Sequence, residues 1–517
     1  MSEIILCPWG LLVSEKLRNR KNPKKQRGAL VMLDFANLEK YKENNRIEAK
    51  KALGGLPNSI WETYSAFANT LGGYILLGVI EKENKSLDTI DLPDPEKLIK
   101  EFWDIVNNPK KVSINLLSAK DVFVQEVDGN HIVVIRVPRA DRGYRPVYID
   151  GNPLNCYRRN GEGDYKCDSE TLYAMYRDAS VKTQDMLVLQ EMDLSVFNSE
   201  SVRGFRQRMR ISHPGHVWEQ LEDEDFLQKL GAIGIGEDSK KHPTAAGLLM
   251  FGNEYDIVRE YGNYFLDYQE QYDPDNRWTD RIISSSGDWS GNVYDFYFRV
   301  YNKLQQDIKV PFKMEGAFRV DDTPVHQALR EALANCLVNA DYYGRRGVVI
   351  IKKKDCITLS NPGNSRIELD TAVSGGVSDP RNSTMLKMFN FIDIGERAGS
   401  GIPNIFRVWK EQGWKKPKIA ESYEPDRVML TLSLSVEKIG DKKSAIKIGD
   451  KKSAINQRVK ERIVSYLTEH PEGKTSQIAE FIELKESRTR DYLKELTMDG
   501  TIEILGNNRN RIYRLKR

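Results

Sequence analysis

The apolar positions between Pro57 and Gly73 recur at helical spacing. Ile60, Tyr64, Phe67, Ala68 and Leu71 share one face, and Gly72-Gly73 stops the run. Asn58 or Ser59 can cap the start, with Glu62 placed to complete a capping box from Ser59. The stretch that follows, Tyr74 to Val79, is short, apolar and β-prone, which predicts a buried strand. From Asp121 to Arg139 the pattern alternates and turns at Asp128-Gly129-Asn130, a hairpin signal. Beyond Arg145 come more short strands, parted by Gly and Asn turns. One α+β unit over residues 41–178 accounts for all of this.

The pattern changes near Asp178. Residues 179–289 hold helical stretches and an apolar run from Ala245 to Gly252, read as a strand in a middle α+β domain. Residues 290–435 start with a long helical pattern and reach VHQALREALANCLVNADYYG. There Ala328, Leu329, Ala332, Leu333, Cys336, Leu337 and Ala340 form an apolar face, while Glu331, Asn335 and Asn339 repeat every four residues on another. The strand VVIIKKKDCITLSNPG follows, then the glycine-bearing GERAGSGI from Gly395 to Ile402.

KIGDKKSAI occurs twice in tandem, at 438–446 and 447–455, and its polar content predicts a flexible linker over 436–455. The last segment, 456–517, reads as three helices (456–469, TSQIAEFI, and one ending at Gly500) and an alternating hairpin with a polar turn. That order is the winged-helix order. It places Ser487, Arg488, Arg490 and Lys494 on a recognition helix, and Arg509 and Arg511 on the wing, as candidate nucleic-acid contacts.

Composition narrows the classes. A chain of 517 residues exceeds one core and suggests three or four domains; 30% charged and 40% apolar residues are ordinary for a soluble globular protein. The net charge of +3 does not advertise a polyanion partner. Locally, residues 16–27 carry seven basic side chains and no acid, so the arm over 1–40 is either solvated or phosphate-contacting. Cys7, Cys156, Cys167, Cys336 and Cys356 form no CxxC pair, which suggests a reducing compartment without a disulfide framework or a zinc site. No apolar run approaches the roughly twenty residues of a membrane span. A cytoplasmic protein is expected.

The candidate chemistry centres on ENNRIEAKK. Glu43 and Glu48 stand five residues apart, Lys50 and Lys51 follow, and Glu81 ends the later apolar strand. Carboxylates so grouped can hold Mg²⁺ or Mn²⁺ against a phosphate, with Lys50 countering charge. They can equally be surface charge, with Glu48 and Lys50 pairing on a strand face.

RIEAKK and SAFANTLGGYILLGV resemble the Schlafen-type AlbA domain. In nuclease members of that family, two glutamates five residues apart and an acid just after the GV strand form the active site. The resemblance puts those roles on Glu43, Glu48 and Glu81, with Lys50 at the adjoining basic position. Glu81 stands where an aspartate is common, and Ile80 replaces a commonly acidic neighbour. REALANCLVNADYYG is similar to the N-box of the GHKL (Bergerat) ATPase fold shared by histidine kinases and gyrase. That similarity implies that Glu331 activates water and that Asn335 holds Mg²⁺ with the ATP phosphates, with Asn339 one turn on. The adenine-reading DxGxG has no good counterpart; the turn there is Ser360-Asn361-Pro362-Gly363, which offers Asn361 and Gly363. Gly399 and Gly401 serve as a second glycine box. There is no P-loop.

The expectation is an α+β multidomain protein: a Schlafen AlbA-type domain, a GHKL α/β sandwich-like domain and a C-terminal winged helix-turn-helix. The implied activity is a metal-dependent endonuclease directed at RNA, with tRNA as a plausible substrate. ATP binding would couple to assembly as a homo-oligomer, and a stress or anti-phage role suits the domain combination. The rival reading is an ATP-responsive regulator that binds DNA and has no nuclease centre.

Overall fold

The helical spacing after Pro57 forms helix α1 (Ile60–Asn69), and nine of its residues are buried, including Thr63, Ser65 and Asn69. A helix apolar on one side and small or amide-bearing on the other can be enclosed only if its polar groups find partners. They do. The Asn69 amide exchanges hydrogen bonds with the Val147 backbone, at 2.7 Å as donor and 2.8 Å as acceptor, and Ser65 Oγ donates to Val147 O at 2.7 Å. The expected capping box is not formed: Ser59 is itself helical and its side chain makes no cap hydrogen bond. Glu62 instead accepts from the Tyr157 hydroxyl at 3.3 Å.

In the computed structural model of the chain, the described residues are 33–273, 277–306, 308, 313–315, 318–320, 323–395, 399–436, 459, 462–482, 484, 486–498, 501–506 and 511–516. The basic arm at 16–27, the tandem repeat at 438–455 and Arg509 lie outside them. The chain divides into two compact units, one running to Ser435 and one from Val436.

In the first unit, β1 (Ile47–Lys50) runs parallel to β2 (Gly73–Leu77), with Glu48 opposite Ile75. After β2 come the hairpin β3 (Val79–Glu81) and β4 (Leu87–Thr89) and the helix α2 (Pro95–Val106). The predicted hairpin is β5 (Val122–Val127) and β6 (Asn130–Val137), and the sheet order is β1-β2-β6-β5. Both faces of this sheet are covered. Ile75, Leu77, Val133 and Ile135 pack with α1 and α2, while Tyr74, Leu76 and Val134 pack under Leu38, Val79 and Leu87. A second hairpin, β7 (Tyr157–Asn160) and β8 (Gly163–Lys166), lies against α1 and leads into α3 (Ser169–Ala179).

Next come α4 (Ser199–Ser212), α5 (Asp223–Leu230), the pair β9 (Ile233–Ile235) and β10 (Lys241–Pro243), α6 (Ala245–Phe251) and α7 (Glu254–Glu260). The run at Ala245 is therefore a helix and not the expected strand. It contains no β-branched residue, and the Thr244 side chain caps it by accepting from Gly247 N at 3.0 Å.

The larger sheet is built from β11 (Leu266–Glu270), β12 (Asp280–Ile283), β15 (Val348–Lys352), β16 (Cys356–Pro362), β17 (Lys418–Tyr423) and β18 (Asp426–Ser433), in the order β12-β11-β15-β16-β18-β17. Between these strands lie α8 (Val293–Gln305), the short pair β13 (Lys313–Glu315) and β14 (Phe318–Val320), α9 (Pro324–Val338), α10 (Leu369–Ser374), α11 (Ser383–Asn390) and α12 (Gly401–Glu411). The stretch expected as one strand from Val348 is two. Lys353 N donates to Cys356 O at 2.7 Å and closes a tight turn. Because β11 pairs with β15, the sheet and its core, from Leu189 to Leu432, cross the expected boundary at residue 289. The second unit holds helical residues 462–469, helices Thr475–Phe481 and Glu486–Met498, and a small antiparallel sheet of Gly473–Lys474, Ile512–Leu515 and Ile502–Leu505.

Candidate catalytic site

Glu43 precedes β1, and the chain turns sharply between it and the strand. Asn44 bridges to Ile47, and the Asn44 side chain accepts from Arg46 N at 2.7 Å. The turn folds Glu43 back along the strand, where its Oε1 accepts from Ala49 N at 2.9 Å. Glu48 and Lys50 alternate with buried Ile47 and partly buried Ala49 on β1, and Lys50 Nζ lies 2.9 Å from Glu48 Oε1. At the end of β2 the chain reverses through Gly78 at φ 82°, where a Cβ would meet Ile90 O at 2.9 Å. Gly78 N donates to Lys50 O at 2.9 Å, so β3 leaves beside β1 and carries Glu81 to the same end.

Glu43 feels the charge of both other acids. Burial pushes the Glu43 carboxyl above its ordinary range, against the pull of the Ala49 N–H, and the charges of Glu48 and Glu81 push it further. Sequence reading had not singled out Arg159, which arrives from β7. Its Nη2 sits 2.7 Å from Glu48 Oε2, an ion contact out of line for a hydrogen bond, and its Nη1 lies 3.0 Å from Asp164 Oδ1. The same guanidinium donates to Asn44 O at 3.0 and 3.1 Å and lies over the Phe67 ring. One arginine therefore holds both the Glu43 turn and the Glu48 carboxylate. Its only signal in the sequence was a paired arginine in the short YRRN strand.

Carboxylate oxygens whose charges repel one another suit a hard divalent cation. Among the described residues no three His, Cys, Asp or Glu side chains are set as a ready-made metal cage, and Glu48 is held by Lys50 and Arg159. The donor chemistry fits Mg²⁺ or Mn²⁺, but the side-chain arrangement on hand is the ion-paired one.

Six of the residues assigned to a nucleotide line a single cavity against the larger sheet: Glu331, Asn335, Asn339, Asn361, Gly399 and Gly401. Helix α9 carries the first two, and Asn335 Nδ2 donates to Glu331 Oε1 at 2.8 Å. Gly363 is apart from them and lines a neighbouring cleft beside Arg381. The cavity measures about 130 Å³, whereas small-molecule sites run to roughly 300–1,000 Å³. Gly401 presses on Glu331 so closely that a Cβ there would fall 1.9 Å from Glu331 Oε1. Arg366, Asp379 and Arg381 also line the cavity.

Those three residues are tied to the N-terminal region. Arg381 grips Asp178 at 3.0 and 2.8 Å, and Arg142 Nη2 lies 3.1 Å from Asp379 Oδ1. Arg139–Glu421 at 2.7 and 2.9 Å, Arg158–Asp426 at 2.8 Å and Arg177–Asp341 at 3.1 Å add to the set. Burial alone would raise Asp178, but Arg381 and Arg366 overrule it and hold its carboxyl at about 2. In the second unit Arg490, Lys494 and Arg511 are exposed, and Arg490 pairs with Glu486 at 3.0 Å. Arg488 lies on the same helix.

Comparison with known proteins gives these regions their kinship. Residues 43–168 match the family model described as "Schlafen, AlbA_2". Residues 346–432 match "Putative ATP-dependent DNA helicase recG C-terminal". Residues 173–267 match a domain of unknown function (DUF8451), and 459–508 match "FaeA-like protein". No curated protein matches the chain. The crystal structure of the DIP2311 protein from Corynebacterium diphtheriae is 16% identical, with 91% of this chain and 92% of that one covered and a TM-score of 0.39. The N-terminal domain of a "Putative ATP-dependent DNA Helicase RecG-related Protein" from Nitrosomonas europaea is 30% identical, with 26% of this chain and 95% of that one covered and a TM-score of 0.22. The chain thus carries a Schlafen AlbA_2-type domain and a helicase-related, ATPase-like domain, and it is a nucleic-acid-related protein. No helix among the described residues is long and apolar enough to cross a membrane.

Proposed function

We propose that the chain is a divalent-metal-dependent endonuclease acting on RNA, with tRNA-like molecules as substrates, and that its ATPase-like region controls it. The observation that supports this most is the field shared by Glu43, Glu48 and Glu81 beside Lys50. Glu43, Glu48 and Glu81 would hold Mg²⁺ or Mn²⁺, which supplies a polarised phosphoryl group and an activated water when bound. The chain's own residues do the rest. Lys50, once drawn from Glu48 to the substrate, balances charge developing on the phosphate oxygens. Arg159 keeps the Glu48 carboxylate and the Glu43 turn in register.

Glu331 orients water at the nucleotide, and Asn335 holds its Mg²⁺ and phosphates. Asn339, Asn361, Gly399 and Gly401 form the wall. Control is the reason for joining the two centres, because an unregulated RNase harms its host; a role in stress or anti-phage defence in the cytoplasm, with assembly into a homo-oligomer, follows that logic. The test is incubation with tRNA and Mg²⁺ or Mn²⁺, comparing wild type with Glu48→Ala and Glu81→Ala. Wild type cleaves and the variants do not. Equal cleavage by the variants, or none by wild type with either metal, refutes the proposal.

The second reading, a nucleotide-responsive DNA-binding regulator, is favoured by the C-terminal unit. Its order of three helical segments and a hairpin, exposed Arg490, Lys494 and Arg511, and likeness to a FaeA-like protein fit a winged helix on DNA. Duplex binding that is lost on Arg490→Ala, with no cleavage by the intact chain, supports it.

A further inference from the structure

We propose that a second cleft, walled by β7, β8 and α3 on one side and by Asp341–Arg346 and Gly363 on the other, binds a small phosphate-bearing anion through Arg145. The cleft measures about 430 Å³, inside the roughly 300–1,000 Å³ range of small-molecule sites. It is three times larger than the cavity at Glu331.

Arg145 is 6% exposed and lines this cleft. Its Nε is buried without a hydrogen-bond partner, and no ion pair reaches its guanidinium among the described residues. A buried cation is ordinarily paired. Here the two carboxylates whose charge acts on it, Asp178 and Glu421, are already taken, as are Asp426 and Asp341. Asp178 is gripped by Arg381, Glu421 by Arg139, Asp426 by Arg158 and Asp341 by Arg177. Each of these acids therefore answers to another arginine, and none of them pairs with Arg145. Burial, and then the charge of Arg139, pulls its pKa down to about 10 against the opposing charges of Asp178, Tyr423 and Glu421, which offset only part of the cost.

The missing charge has a chemistry. A planar guanidinium presents parallel N–H donors that match two oxygens of a phosphate. Lys166 and Arg346 stand on the same walls and would meet further phosphate charge. Arg145 sits almost wholly enclosed, which suits a free small molecule of mononucleotide size and not the backbone of a polymer. Arg159, which holds Glu48, lines the same cleft, so an anion there and the acid site share one arginine. This reading needs no nuclease activity.

The test is calorimetric titration of the full chain with inorganic phosphate and with AMP, alongside thermal melts. Saturable binding is expected for wild type. Arg145→Met is expected to weaken it by about tenfold or more, the worth of a charge-assisted hydrogen bond. Arg145→Lys should restore part of it. Arg145→Met should also melt no lower than wild type without ligand, because it removes an uncompensated buried charge; a purely structural arginine would give a lower melt. No binding of either probe, or undiminished binding by Arg145→Met, overturns the site.

Discussion

Arg159 joins Asn44 O, Asp164 and Glu48 through one buried guanidinium, so its loss reaches several partners at once. Arg159→Ala is expected to destabilise the first unit by roughly 1–3 kcal/mol, the cost of leaving buried polar groups unmet. In a cleavage assay it should lower kcat more than it raises KM, since it positions Glu48 without being needed for substrate binding. Glu43 gives a pH signature. Its carboxyl is raised in the folded chain, so its contribution to stability is full below the unfolded carboxylate range and is lost as pH rises through the raised value. Glu43→Gln should therefore flatten that loss in melts taken across the mildly acidic range. Glu43 and Glu48 were legible as a spaced pair. Arg159 was not, because its role depends on a hairpin more than a hundred residues away in sequence.

The arginine–carboxylate pairs between the N-terminal region and the larger sheet hold two elements of opposite charge habit together. Arg381→Ala would leave Asp178 without its bidentate partner, and breaking a buried pair from one side costs roughly 3–5 kcal/mol. Chemical denaturation checks this. Asp178 carries the opposite pH sign to Glu43: its depressed carboxyl stabilises fully above the ordinary aspartate range, and that contribution is lost as pH falls towards about 2. At the other wall of the nucleotide cavity, Gly401→Ala drives a methyl into Glu331. It should cost roughly 1–3 kcal/mol as overpacking and change nucleotide affinity, read by calorimetry with ATP.

At this scale the pattern foretold α1, β2 and the β5–β6 hairpin, whose periods are strong. It missed α6, because a short run of Ala, Leu and Met buried on every side has no period to distinguish helix from strand. It missed the β15–β16 turn because Lys352 reads as a surface residue, although the fold buries it with its Nζ donating to the Lys303 and Gln306 carbonyls at 2.6 and 2.7 Å.

The whole molecule is two compact units, and the first contains both candidate centres. The pairs that cross from Asp178 to Arg381 and from Arg142 to Asp379 end on walls of the cavity at Glu331, so under the proposed function a ligand that moved those walls would act on contacts made by the acid-bearing region. The pairing of β11 with β15 across the boundary read near residue 289 was not legible, because some eighty residues of chain intervene and local pattern cannot show it. The most direct measurement is cleavage of tRNA by the full chain with Mn²⁺ or Mg²⁺, set beside Glu48→Ala and Glu81→Ala variants of matched melting temperature. The account predicts cleavage by wild type and at least a hundredfold loss in each variant, in keeping with the roughly 10²–10³-fold cost of removing one charge-stabilising group. Variants that cleave as wild type does, or a wild type inert with both metals, would contradict it.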